Sequence, residues 1–437
     1  MRMEAIRTQR NRLKLKPSKM EAIKAMSLVC TKLYNEALYS VRQYYFQNGE
    51  YLNYASNYHR VKTSANYQIL LSDIAQSVVR LVDRDIRSFF GLLKLKKEGK
   101  YSDKIRLPSY KKDRKSGEAL YMSVPIQGRS ARIKDGYVVV SIKPSLAKEF
   151  GLKIKELRFK LPKHMKHIKK LQELRFVPSF GGKVWHIEFV YKIALQEPKQ
   201  KGDYLAIDFG IDNFATCYPS GGGAFIIDGR YIKSINRYFN KRKAFLQSIY
   251  DRQGYKNTNN LIALSRRRDN RINNFFNLAV KYIVKYALKH NIATIVMGDF
   301  SGSKQSINIG KANNQNFVSI PFYKFKQKLA SKCEEFGIQV VHQDESYTSK
   351  ASFLDRDDMP LSYDSKINYQ GSGKRIKRGL YRSAQGYLLN ADVNGAANIL
   401  VKYFKSNGLH KELEALYATR YGCVNHPQRL RLSDLAA

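Results

Sequence analysis

Apolar residues recur at three- and four-residue steps from Lys19 to about Lys97. Ala22, Met26, Val29, Leu33 and Ala37 mark one stretch, and Ile74, Val78, Leu81, Val82 and Ile86 mark another. This spacing predicts amphipathic helices. They follow a strand-like piece over residues 1–16 that ends at Lys16-Pro17-Ser18, where Ser18 is the predicted N-cap. Tyr34, Tyr39, Tyr44, Tyr45, Tyr51, Tyr54 and Tyr58 are interleaved with basic residues, a pattern that serves helix packing or base stacking. Past residue 98 the pattern shortens to strands. Pro108, Pro125 and Pro144 punctuate runs such as Tyr137–Ile142 and Val184–Tyr191, and Phe180-Gly181-Gly182 joins Leu174–Val177 to the latter as a hairpin. The block reads as a β-rich, barrel-like module, left through the linker Gln196–Gly202.

From Asp203 strands and helices alternate, the signature of an α/β domain. Strands are predicted at Tyr204–Phe209, Phe214–Tyr218, Ala224–Ile227, Ala293–Met297 and Ile338–Val341. Helices are predicted at Tyr231–Arg252, Asn260–Lys289, Pro321–Phe336 and Asp392–Phe404. Three meandering strands, a helix, then two strands each separated by a helix is the order of an RNase H-like fold. No internal repeat is visible.

Composition sharpens this picture. Of 437 residues, 78 are Lys or Arg and 36 are Asp or Glu, a formal charge of +42, yet 43% are hydrophobic and 12% aromatic. Such a chain buries large cores, so the charge sits on folded domains, two to four by length. Its natural partner is a phosphate polymer. Cys30, Cys217, Cys333 and Cys423 lie far apart without a C-x-x-C pair, which argues against a disulfide framework or paired-cysteine zinc site and fits a reducing cytoplasm. With no apolar signal region and no membrane-length apolar run, a cytoplasmic, DNA-associated protein is expected, with no membrane partner.

Within this basic chain, three acids stand at predicted element ends: Asp208 closing a strand, Glu345 just after a strand, and Asp392 opening a helix. Carboxylates hold two divalent ions about 3.5–4 Å apart for phosphodiester cleavage. Each acid also has an ordinary structural role available, since Asp caps turns and helix N-termini. Asp212 lies in the turn after its strand and is the weaker candidate.

Taken together, Ala206-Ile207-Asp208-Phe209-Gly210, Asn313-Asn314-Gln315-Asn316-Phe317, Glu345-Ser346-Tyr347-Thr348-Ser349 and Asp392-Val393-Asn394-Gly395-Ala396-Ala397-Asn398 resemble the RuvC-like nuclease of the transposon-encoded TnpB family. That family is related to type V CRISPR effectors and to Fanzor proteins. The resemblance implies a RuvC-like, RNase H-like nuclease domain preceded by a β-barrel wedge with an inserted helical recognition domain. The expected layout is 1–16 first wedge strand, 17–100 recognition domain, 101–197 wedge, 198–345 nuclease, 346–390 an insertion replacing the zinc ribbon, and 391–437 the nuclease end and tail. It implies an RNA-guided DNA endonuclease, working as a monomeric ribonucleoprotein. Asp208, Glu345 and Asp392 would be catalytic ligands of two Mg²⁺, with a guide RNA from a transposon end and double-stranded target DNA as partners.

The chain departs from the family pattern in three places. Gly298 stands where the family's second acid begins an acidic pair with the next residue, here Asp299. One branch of the family supplies that acid from the next strand, where Glu345 stands. Loss of the acid without replacement would instead give a nuclease-inactive, RNA-guided DNA-binding repressor. Residues 346–391 contain no cysteine or histidine, so no ribbon zinc is expected. Ala391 replaces the usual Arg before the third acid, which removes a phosphate or metal-shell contact. Candidate nucleic-acid contacts are Arg266, Arg267, Arg268, Arg271, Lys304, Lys350, Lys374, Arg375 and Arg378.

Overall fold

The computed structural model describes residues 3–113, 116–255, 258–299, 319–364, 366–418 and 426–436. The chain divides into two compact units, Glu4–Ile193 and Ala194–Ala437 with Met1–Met3.

In the unit Glu4–Ile193, β1 (Glu4–Arg12) is followed by α1 (Pro17–Asn48), α2 (Tyr54–Val61), α3 (Ala65–Ile69) and α4 (Ser72–Lys97). The start of α1 corrects the sequence expectation. Lys16 is the N-cap and Pro17 holds the first helical position, with no side-chain cap. Proline's fixed φ and missing N–H suit that position, which moves Ser18 inside the helix. Gly49 stops α1 in the left-handed region (φ 69°), donating its N–H to the Tyr45 carbonyl.

The strands of this unit are β2 (Val124–Gln127), β3 (Ala131–Lys134), β4 (Tyr137–Ser141), β5 (Glu156–Lys160), β6 (Glu173–Ser179) and β7 (Val184–Ala194), with α5 (Pro144–Glu149) between β4 and β5. They form a four-stranded sheet in the order β1-β7-β6-β2 and a three-stranded sheet β3-β4-β5. The hairpin read at Phe180-Gly181-Gly182 is present, with Ser179 opposite Val184. Helices and strands share one core containing Val29, Leu33, Val78, Val82, Ile126, Val140 and Phe176. Tyr34 is buried and donates to Asp85 at 2.7 Å, and Tyr44, Tyr51, Tyr54 and Tyr58 pack against this core. Tyr39 is exposed.

The second unit is built on a six-stranded mixed sheet, β12-β11-β8-β9-β10-β16. Its strands are β8 (Asp203–Phe209), β9 (Asn213–Pro219), β10 (Phe225–Asp228), β11 (Ile292–Asp299), β12 (Gln339–Asp344) and β16 (Gln428–Leu430). β8, β9 and β10 run antiparallel in succession, while β11 lies parallel to β8 and β12 parallel to β11. The helices are α6 (Arg230–Arg252), α7 (Asn259–Lys289), α8 (Phe322–Glu335), α9 (Ala391–Ser406), α10 (His410–Tyr417) and α11 (Leu432–Ala436).

The period-two alternation of β8 distributes its side chains between two cores. Leu205, Ile207 and Phe209 join α7 and α8 in one core. There Phe214, Phe275, Phe276 and Phe325 are fully buried, each contributing about 1.5–3 kcal/mol relative to exposure. Ala206 and the partly buried Tyr204 pack on the opposite side with Val393, Ala396, Ala397 and Leu400 of α9. Asp208 continues this even-numbered series.

Among the described residues of 346–390 there is no helix. A small antiparallel sheet, β13 (Lys374–Lys377), β14 (Leu380–Arg382) and β15 (Leu388–Asn390), ends the segment, and β15 runs directly into α9. Among the described residues, no helix is long and apolar enough to cross a membrane.

Candidate active site

Three neighbouring parallel strands end side by side. Ile207 of β8 is in register with Met297 of β11, and Gly298 and Asp299 of β11 are in register with Gln343 and Asp344 of β12. Asp208, Gly298 and the residues entering the turn after β12 therefore share one sheet edge. In that turn the Ser346 amide donates to the Asp344 carboxylate at 2.9 Å, and the Thr348 hydroxyl donates to the Glu345 carbonyl at 2.8 Å. Tyr347 takes a left-handed conformation at φ 67°. The turn sends the Glu345 side chain back over β11. A Cβ placed on Gly298 would lie 2.5 Å from Glu345 Oε2 and 3.0 Å from Ile399 Cδ1. The glycine thus leaves open the space that the Glu345 carboxylate fills.

Asp208 meets α9 in the same way. A Cβ on Gly395 would lie 3.2 Å from Asp208 Oδ2, so the glycine sets the close approach of the helix to the acid. Asp392 sits in the first turn of α9. The side chain of Asn390 accepts from the Asp392 and Val393 amides at 3.1 and 3.2 Å, capping the helix. The Asp392 carboxylate is held by the Asn213 side-chain amide and by Arg375 Nη2 at 3.5 Å. Asp208 and Asp392 line a common cavity of about 300 Å³.

Electrostatics tie the three acids together. Burial pushes the Asp208 carboxyl above its ordinary range, and the neighbouring Asp392 charge pushes it further, against Arg375 and Lys326. Burial likewise raises Glu345, with the Asp208 charge next in importance and Lys326 opposing. Glu345 Oε2 is buried without a hydrogen-bond partner. Lys326 of α8 donates to the Gly298 carbonyl at 2.5 Å and lies 3.6 Å from Asp299. Among the described residues, no three His, Cys, Asp or Glu side chains stand gathered as a ready metal cage. The donor set nevertheless fits a hard divalent ion such as Mg²⁺. It offers carboxylate oxygens, one of them orphaned, whose mutual repulsion a cation would relieve.

The other nearby acids are committed elsewhere. Asp212 is paired with Lys233 at 2.7 Å and with Arg378. Asp344 is paired at 2.9 Å with Lys402, whose side chain is fully buried. Burial alone would raise Asp344, but its hydrogen bonds to Lys402 and Ser346 hold it below the usual range.

Several supporting residues escaped the sequence reading. Asn394 donates to the Ala351 carbonyl at 2.7 Å and accepts from the Phe353 amide at 3.0 Å. Asn398 donates to the Thr348 and Ala351 carbonyls, and Lys402 to the Ser346 carbonyl at 2.8 Å. These three residues recur every four positions along α9, and all are buried. That recurrence was the available signal: polar side chains on the inward stripe of an apolar helix.

The basic candidates are scattered. Arg268 is hydrogen-bonded to Asn236 and to the Ser319 carbonyl, both at 2.7 Å. Arg267 and Arg271 are exposed and Arg266 half-buried. Lys350 donates to the Tyr369 carbonyl at 3.3 Å. Lys374 is exposed, while Arg375 and Arg378 stand at the acids. Lys304 and Asn313–Phe317 lie outside the described residues, as does Cys423. Cys30, Cys217 and Cys333 are buried free thiols.

Known proteins align with this chain in the order of its elements. A probable transposase model, OrfB_IS605, matches residues 186–304, the span of Asp208. The TNB domain model of Cas12f1-like proteins matches residues 322–399, the span of Glu345 and Asp392. The TnpB-like protein ORF457 of Acidianus two-tailed virus is 27% identical over 402 residues, covering 87% of this chain and 83% of that protein. The CRISPR-associated endodeoxyribonuclease Cas12f1 of Sulfoacidibacillus thermotolerans is 34% identical over 122 residues, 28% of this chain and 25% of that protein. A solved Cas12f1–sgRNA–target DNA complex shares the fold with a TM-score of 0.55 and 14% identity, covering 88% of this chain and 83% of that one. With the transposase and TNB models matching in tandem and a TnpB-like relative aligned along most of its length, this chain is similar to TnpB-like proteins along most of its sequence.

Proposed function

We propose that this protein is an RNA-guided DNA endonuclease with a RuvC-like, two-metal site formed by Asp208, Glu345 and Asp392. The observation that carries this reading is the fit between Gly298 and Glu345. The position on β11 without a side chain, Gly298, is the one over which the neighbouring acid folds, with its Oε2 buried and unpartnered.

When bound, divalent ions supply charge neutralisation, activation of a water and stabilisation of the leaving oxygen in phosphodiester hydrolysis. The chain's own residues arrange the site. Asp208 is the middle acid, since it raises Glu345 and is itself raised by Asp392. Asn213 orients the Asp392 carboxylate, and Lys402 and Asn398 fasten the turn that carries Glu345. Lys326 limits the repulsion among the acids before a cation arrives. The mixed sheet, with β8 flanked by β9 and β11, supports the RNase H-like assignment. By the same reading, the strands from β1 to β7 form the wedge, and α1–α4 form a helical recognition domain inserted after its first strand. Sequence choice would reside in a guide RNA from a transposon end paired to double-stranded target DNA.

The competing reading, a nuclease-inactive RNA-guided repressor, draws on Gly298, but the carboxylate filling that space weighs against it. Sequencing the RNA that co-purifies with the protein, expressed with its flanking DNA, tests guidance: one species with a constant scaffold and a variable end is expected. Cleavage by that ribonucleoprotein, lost in Asp208→Ala and Glu345→Gln with target binding retained, tests the site. Unchanged cleavage in Glu345→Gln would remove the relocated acid from the mechanism.

A further inference from the structure

The hairpin β13–β14 is docked onto the site by its turn, where the Ala391 amide donates to the Gly379 carbonyl at 3.1 Å. Buried Tyr381, opposite Arg375 in the ladder, anchors the hairpin from below by donating to the Lys350 carbonyl at 2.8 Å. The register slips between Arg375 and Lys377, a bulge of the kind that re-aims side chains. Arg375 reaches Asp392 at 3.5 Å, and Arg378, at the turn, pairs with Asp212. Both arginines line the cavity that Asp208 and Asp392 also line. The same cavity is thus lined by guanidinium groups and by proposed metal ligands.

We propose that Arg375 is the counter-ion of Asp392 until nucleic acid draws it away, so that nucleic-acid binding at this cavity is coupled to divalent-ion binding at the acids. The inference rests on the reading of the acids as metal ligands. Exposure favours the exchange: the Arg375 and Arg378 side chains are 46% and 71% accessible, and ion pairs this open hold weakly. Guanidinium groups bind phosphate oxygens through paired N–H bonds as readily as carboxylates. Moving Arg375 to a phosphate removes one positive charge from beside Asp392, so nucleic acid and divalent ion should each tighten the other's binding by the same factor. The hairpin would thereby supply the basic contact that Ala391 leaves unfilled next to the third acid.

The test reads binding rather than turnover. The nucleic-acid-free full chain is titrated with Mn²⁺ by electron paramagnetic resonance, with and without a short oligothymidylate. Wild type should gain roughly tenfold in Mn²⁺ affinity when the oligonucleotide is present. Arg375→Gln should bind Mn²⁺ more tightly than wild type alone and show a much smaller oligonucleotide effect. Arg356→Gln, which removes an exposed arginine paired with Glu414, should behave as wild type. Wild-type Mn²⁺ affinity in Arg375→Gln, or an undiminished oligonucleotide effect in it, overturns the proposal. Asp208→Asn and Asp392→Asn distinguish the two layers of the argument. Both should weaken Mn²⁺ binding, and if neither does, the acids are not the metal site and the counter-ion reading falls with them.

Discussion

Replacing Gly298 with alanine is the sharpest perturbation of the proposed site, because it adds one carbon at a known place. The new Cβ would lie 2.5 Å from Glu345 Oε2, whereas ordinary contact begins near 3.4 Å. The carboxylate must therefore retreat by about 0.9 Å, the difference of those two distances. Retreat in another direction is limited by Ile399, whose Cδ1 would be 3.0 Å from the same carbon. Overpacking of this size costs about 1–3 kcal/mol of stability. A misplacement of about 1 Å in a reacting constellation costs roughly 10²-fold in rate. Gly298→Ala should thus remain folded, melt a few degrees lower, and cleave target DNA about two orders of magnitude more slowly at saturating Mg²⁺. The assay is single-turnover cleavage by the guided ribonucleoprotein, with guide and target binding measured in parallel. Cleavage within a few-fold of wild type would refute the claim that Glu345 works from the space left by the glycine. A complementary variant moves the acid back to the strand end: Gly298→Glu combined with Glu345→Ala should exceed Glu345→Ala alone.

The remaining predictions concern charge. Burial and Asp208 raise Glu345 above the ordinary glutamate value of 4.5, so around that carboxyl the folded chain binds more protons than the unfolded one. This contribution to metal-free stability is therefore lost as pH rises from about 4.5 through the raised range. Glu345→Gln should flatten that slope and raise the metal-free melting temperature at neutral pH, while abolishing the gain in melting temperature that Mg²⁺ gives wild type. Thermal scans across pH with and without Mg²⁺ check both, and a wild-type slope in the variant would sink the assignment. Asp344 has the opposite sign: its carboxyl is held low by Lys402 and Ser346, so its contribution is present above the ordinary carboxylate range and lost on acidification. Lys402→Met should cost about 1–3 kcal/mol, measured by urea unfolding at neutral pH, and should cost less at acidic pH. It should also slow cleavage through a displaced turn, and full activity would remove Lys402 from the set of positioning residues.

The main elements were legible because long stretches carry one clean period. The three- and four-step helical pattern is set by burial on one face and the apolar runs of β8, β9 and β11 by burial on both, and burial is what the sequence records most directly. The short pieces were not legible. β16 has three residues, too few for a pattern, and it is defined by pairing beside β10 across the sequence. The first strand of the hairpin β13–β14 is basic except for Ile376, and every residue in it is exposed. Its place follows from Tyr381 and from the bond to Ala391, which no local rule reveals. The helix start at Pro17 was misread because serine's hydroxyl is a good cap, yet the preceding proline already fits the first turn.

The three acids were singled out in the sequence by position within elements, and on the proposed reading their cooperation rests on two glycines and a row of buried polar residues. Gly298 admits the Glu345 carboxylate and Gly395 admits Asp208 beneath α9, so α9 contributes more than Asp392 to the site. Its Asn394, Asn398 and Lys402 hold the segment after β12 by backbone carbonyls and an amide, contacts insensitive to that segment's side chains. A carboxylate presented from such a turn is fixed by the helix rather than by its own strand. That explains physically how an acid can leave the end of β11 for the turn after β12 and still face the same neighbours. What the site requires at β11 is then the absence of a side chain, and only glycine supplies it.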